Sequence, residues 1–173
     1  MIRVVRLALP LVLALAAAPA QVSAAESCVD IAPPVRFCPA GLLAGLTPQP
    51  VTSGLSFGAG DTSVIVQWVP METAPLTPDE LRLMVSDMAE ILIGEDASTL
   101  VPLIEDRPAL PDATPVRFAF RTGAYGAPRV FVLSMLSAAE GVVLIQSSAP
   151  GEYLDEAHSA LHMATIASVE GVH

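Results

Sequence analysis

Two histidines, His158 and His162, stand four residues apart in the segment EYLDEAHSALHMATIASV. On a helix that spacing puts both side chains on one face, one turn apart. With Asp155 one turn earlier, they form a candidate metal set in which imidazole and carboxylate hold a divalent transition metal. No residue is identifiable as a fourth ligand. The competing expectation puts the pair on a solvated flank, beside a packing face of Leu154, Ala157, Leu161 and Ala164 with Tyr153 and Ile166 flanking.

Other chemistry is harder to place. A serine hydrolase needs a base beside its nucleophile, and the three histidines (His158, His162 and His173) all lie near the C-terminus. No G-x-S-x-G precedes a helical pattern, and no Walker A loop, G-x-G-x-x-G or H-E-x-x-H is present. Gly58-Ala59-Gly60 is too short to cradle a phosphate. Adjacent acids such as Glu105-Asp106 and Asp155-Glu156 read as solvated turn and helix-start residues. The sequence therefore predicts no catalytic residue and no cofactor. Arg117, Arg121 and Arg129 cluster about one predicted hairpin and form a candidate patch for an anionic ligand. Pairing with the chain's own acids is the alternative.

Cys28 and Cys38 lie ten positions apart. The spacing is not the C-x-x-C of thioredoxin-like sites, and no histidine or further cysteine accompanies them. They are expected to form a structural disulfide. Closing a loop of about 11 residues is worth roughly 2–3 kcal/mol.

The elements that must position these residues follow from hydrophobic period and punctuation. Residues 28–50 are rich in Pro and Gly, with a short extended piece at 35–38, and 51–60 read as a weak strand or loop. Residues 62–69 (TSVIVQWV) are a β-branched strand closed by Pro70. Thr77, Pro78 and Glu80 supply an N-cap, an N1 proline and a capping-box glutamate. Leu81, Met84, Val85, Met88 and Leu92 then recur at helical spacing until Gly94. Met84 and Met88 belong to that stripe, so they are core residues and not copper ligands. A strand over 98–104 is demoted to an edge by Pro102. Val116, Phe118 and Phe120 alternate with Arg117, Ala119 and Arg121, and strands over 129–136 and 142–148 complete a meander. Pro150-Gly151-Glu152 opens a second helix running to about Val169. The expected fold class is α+β, with an antiparallel sheet of about five to six strands packed by helices as an α-β-α sandwich.

The chain carries 173 residues, 8 cations that are all Arg, 18 acids, a net charge of −10 and 53% hydrophobic residues. That charge excludes a nucleic-acid binder of the basic kind, and the hydrophobic fraction excludes wholesale disorder. Residues 1–24 read as a cleaved secretory signal. Arg3 and Arg6 precede an apolar run at 7–18, and Val22-Ser23-Ala24 offers a cleavage site at Ala24 or Ala25. The run is too short to span a bilayer, which takes about 20 residues. Without the signal the charge moves to about −12 over about 149 residues, since only two Arg are lost. The expected organisation is residues 25–60 as a disulfide-stapled segment and 61–173 as the main body of one domain. The expected location is the periplasm or the exterior.

The run from Pro115 to Val169 resembles the C-terminal half of the PsbP-like fold, shared by the photosystem II extrinsic protein PsbP and DcrB-type periplasmic proteins. It has an aromatic strand (VRFAFRTG), a hairpin return (PRVFVLSML), an apolar strand ending in small polar residues (VVLIQSSAP) and an acidic-start terminal helix. Leu42 stands where the family tends to place a tryptophan, and the cysteine pair is not a general family feature. The resemblance implies an α-β-α sandwich that acts by binding or by supporting an assembly. The function expected is thus an exported, non-catalytic module of the bacterial envelope whose partner is another envelope protein or a small ligand. The alternatives are a periplasmic metal carrier using His158 and His162, or an enzyme without a recognisable motif.

Overall fold

The computed structural model describes residues 28–173, so the expected signal peptide and its cleavage site lie outside the described residues. The strands are β1 (Val29–Ala32), β2 (Val35–Phe37), β3 (Gln49–Val51), β4 (Gly54–Ala59), β5 (Thr62–Pro70), β6 (Val101–Asp106), β7 (Val116–Thr122), β8 (Arg129–Ala138), β9 (Gly141–Pro150) and β10 (Val169–Glu170). Two helices, α1 (Pro78–Ile93) and α2 (Glu156–Ala167), punctuate them. Seven strands form one antiparallel sheet in the order β3-β4-β5-β9-β8-β7-β6, and β1-β2-β10 form a smaller one. The class is α+β and the layering α-β-α. The large sheet exceeds the five to six strands expected because the end of the Pro- and Gly-rich stretch and the span 51–60, read as weak strand or loop, pair as β3 and β4. Full pairing of β4 with β5 also carries the sheet across the boundary expected at residue 60.

Helix α1 begins where its capping signals place it. Thr77 accepts from the Glu80 amide, and Glu80 accepts from the Thr77 amide at 2.8 Å. Leu81, Val85, Ala89 and Ile93 are buried, and Met84, Met88 and Leu92 pack half-buried beside them. This face lies on Phe118, Phe120, Phe131, Leu133 and Met135 of β7 and β8. Successive strand residues alternate between faces, so Val64, Val66, Leu136, Val143 and Ile145 point to the opposite side, where Leu161 and Ile166 of α2 cover them. The small sheet packs on the same side, with Phe37 stacked on Phe57 at 5.4 Å. Val35, Phe37, Leu43, Leu55 and Phe57 of this segment are therefore part of the core.

The second helix starts later than expected. β9 continues to Pro150, and Asp155, not the Pro150-Gly151-Glu152 step, is the N-cap. Among the described residues no helix is long and apolar enough to cross a membrane.

Candidate functional site

The residues with chemical potential separate into a sealed cluster and an open groove. The buried positions of α2 are His158, Leu161, His162, Thr165 and Ile166, a stripe at i, i+3, i+4, i+7 and i+8. The two histidines thus sit on the packing face, and the expectation of a solvated flank is corrected. Ala157, expected to pack, is exposed instead. The helix is rotated because the sheet offers the histidines partners: Ser134 of β8 and Ser147 of β9 face α2, both fully buried.

These four side chains form one hydrogen-bonded chain. Ser134 Oγ lies 2.9 Å from His162 Nε2, Ser147 Oγ lies 2.8 Å from His162 Nδ1, and Ser147 Oγ lies 2.8 Å from His158 Nε2. A neutral imidazole has one donor and one acceptor nitrogen, and a hydroxyl both gives and receives. The chain is therefore satisfied with all donors pointing towards Ser134 or all pointing towards His158. Burial pushes the His162 imidazole down to about 3, with the charges of His158 and Arg117 acting in the same direction. His158 is also lowered, by burial against the opposing pull of the Asp155 carboxylate, with Arg129 adding to the lowering. Both imidazoles are neutral at pH 7.

The metal set His158, His162 and Asp155 does not assemble. Both His162 nitrogens and His158 Nε2 are taken by serines, and the Asp155 carboxylate accepts from the His158 amide at 2.7 Å as the helix cap. Among the described residues, the one trio of such ligands gathered within 4.8 Å is Cys28, Cys38 and Glu170. There both sulfurs are joined in the Cys28–Cys38 disulfide, as expected. The Ser–His contacts resemble a nucleophile and base, but the four side chains are between 0% and 2% exposed, so no substrate reaches them.

The arginine patch does not assemble either. Arg117 grips Asp106 through two bonds of 2.8 and 2.6 Å, and Arg121 pairs with Glu152. Strand alternation puts Arg129 on the opposite face of the sheet, with Phe131. There its Nε donates to Ser148 Oγ at 3.3 Å. The hollow of about 230 Å³ near Arg82 is likewise lined by Arg82, Glu105 and Asp106, all in ion pairs.

The open feature, which no sequence motif signalled, is a groove of about 520 Å³ between the loop at 110–113 and the chain from the end of α2 to Val172. Leu110 and Ala113 form one wall, and Ile166, Val169 and Val172 form the other. The charged side chains among its lining residues are Asp112 and Glu170, the latter paired with Arg36 at 2.6 Å. It joins two segments some sixty residues apart, one of them a proline-punctuated loop, so neither period nor spacing could announce it.

Neither a protein-family model nor a curated protein matches the chain. Among solved structures, the Ran-binding protein Mog1p of Saccharomyces cerevisiae aligns with a TM-score of 0.54 at 11% identity, covering 79% of this chain and 89% of that one. A mutant of protein Mog1 aligns with a TM-score of 0.50 at 10% identity, covering 84% and 95%. At such identity the likeness is one of fold, and the α-β-α arrangement of this chain is similar to that of Mog1.

Proposed function

We propose that the protein is an exported, non-catalytic binding module of the bacterial envelope, of the PsbP-like kind, that engages a protein partner through the groove between residues 110–113 and 166–172. The groove carries this reading: it is open and mainly apolar, while the Ser–His groups suited to acid–base work are closed off and bonded to one another. Clefts of roughly 300–1,000 Å³ are the usual size for ligand sites. The Cys28–Cys38 disulfide suits an oxidising compartment, and the N-terminal signal pattern supplies a route there. A fold shared with a Ran-binding protein is one already used to hold another protein.

The test uses the chain without residues 1–24, immobilised and exposed to periplasmic extract, beside an Ala167→Trp variant. Ala167 is exposed and lines the groove, so the indole fills it without entering the core. Retention by the parent chain and loss by the variant, with unchanged circular dichroism, is the expected result. Equal capture by both, or turnover in a hydrolase panel, overturns the reading. N-terminal sequencing of the periplasmic form tests export, with a start at residue 25 or 26 expected.

A further inference from the structure

We propose that the groove takes an extended peptide segment of its protein partner, added as a strand beside β10, with alternate apolar side chains and a Lys or Arg set against Asp112; this rests on the binding reading above. β10 is an edge of the small sheet and pairs with β2 on one side only, Val169 facing Phe37 and Glu170 facing Arg36. The Cys38 amide donates to the Ser168 carbonyl at 2.7 Å, so the Ser168 carbonyl points to β2. In an antiparallel ladder the backbone groups of successive residues turn to opposite sides. Val169 therefore turns its N–H and C=O away from β2, on the side open for pairing. Such an edge is a template for another strand.

Fixed geometry surrounds this edge. Gly171 has φ +81°, and a Cβ there would lie 2.6 Å from the Pro34 carbonyl oxygen, so only glycine lets the chain pass this close to Pro34 after Glu170. The His173 amide then donates to the Ser137 carbonyl at 2.8 Å, anchoring the terminus. Across the groove, Leu110 and Ala113 offer apolar contact for the side chains that an added strand projects on one face. Charge sets the partner's sign. Glu170 is already paired with Arg36, whereas Asp112 is exposed and in no ion pair among the described residues, on a chain of net charge −10. A cationic segment gains from both the local carboxylate and the long-range field.

The probe is an amidated hexapeptide, Lys-Val-Thr-Val-Lys-Val, carrying fluorescein at its N-terminus and titrated with the chain lacking residues 1–24 by fluorescence polarisation. Saturable binding is expected, weakened about tenfold or more by N-methylating alternate amides, by Asp112→Lys and by Ala167→Trp. Equal binding of the N-methylated peptide overturns strand addition, and an unchanged affinity in Asp112→Lys overturns the charge assignment. Absence of saturation at about 1 mM overturns both. If the N-methylated peptide binds equally, or no peptide binding saturates, while Ala167→Trp still abolishes capture of the periplasmic partner, the binding reading stands and the strand-addition proposal falls.

Discussion

On the α1 face of the large sheet, Phe120 stacks between Phe118 and Phe131 at 5.6 and 5.5 Å, and α1 closes over them with Leu81, Val85, Ala89 and Ile93. On the α2 face the middle strands present Ser134 and Ser147, and α2 meets them with His158 and His162. One helix is held by area and shape, the other by area plus a directional chain of hydrogen bonds. Apolar packing tolerates small rotations of the helix. A buried hydroxyl between two imidazoles does not, because each unpaired polar group carries its full desolvation cost. The two faces should therefore fail under different perturbations.

Acid separates them most. His162 titrates near 3 when folded, against an ordinary value near 6.5. Below pH 6.5 the unfolded chain binds protons that the folded chain refuses, so stability falls as pH falls and is fully present above about 6.5. Over the window from about 6.5 to about 3 that loss amounts to about 5 kcal/mol for His162 alone. His158, lowered in the same direction, steepens it. Urea midpoints across that range should show the slope, and His162→Leu should remove most of it. A pH-independent midpoint between 6.5 and 4 would break the contrast between the faces.

Next in size is Phe120→Ala, which empties the centre of the aromatic stack and is expected to cost about 3–5 kcal/mol in urea unfolding. Its cost should be nearly the same at pH 7 and pH 5, since the buried side chains packed around Phe120 are apolar. Ser147→Ala should cost about 2–4 kcal/mol at pH 7, because it strands a nitrogen on each histidine. Replacing Ser134, Ser147 and His162 together by Ala, Ala and Leu should cost less than the sum of the single changes. If the losses add, the chain is not acting as a unit.

The same contrast explains which elements the sequence predicts well. α1 announces itself twice, by the Thr77–Glu80 box and by an apolar stripe, and its bounds match expectation. The alternation of Val116, Phe118 and Phe120 with Arg117 and Arg121 likewise puts β7 on its correct face. α2 carries its stripe in residues that look polar: His158, His162 and Thr165 complete the pattern begun by Leu161 and Ile166. Hydrophobicity alone therefore turns the helix the wrong way. The partner signal exists, since Ser134 and Ser147 fall at the core-facing parity of otherwise apolar strands, but only the register of β8 against β9 brings them together. Arg117 and Arg121 pair with the chain's own acids, the alternative their sequence already offers. Parity separates Arg129 from Arg117 and Arg121, although all three lie about one hairpin. The groove depends on β10, two residues long, meeting a proline-rich loop, and so lies beyond any periodic signal.

The smallest test compares the two helix starts. Thr77→Ala removes the acceptor for the Glu80 amide and the hydroxyl that helps hold the Glu80 carboxyl below its ordinary value, and leaves α1's packing face untouched. A loss of about 1 kcal/mol is expected at pH 7, shrinking only as the Glu80 carboxylate takes up a proton in acid. At α2 the cap and the polar chain share a residue, since the Asp155 carboxylate both accepts from the His158 amide and favours a proton on the His158 ring. Asp155→Asn keeps a good N-cap but removes that charge, which holds His158 closer to its ordinary value. Stability at pH 7 should change by only a few tenths of a kcal/mol, from the lost attraction to the helix N-terminus. Below pH 6 the folded His158 should become still harder to protonate, and the acid slope of unfolding should steepen. A slope that stays the same would mean that the α2 face meets acid through His162 alone, with His158 already outside the charge balance of its own helix.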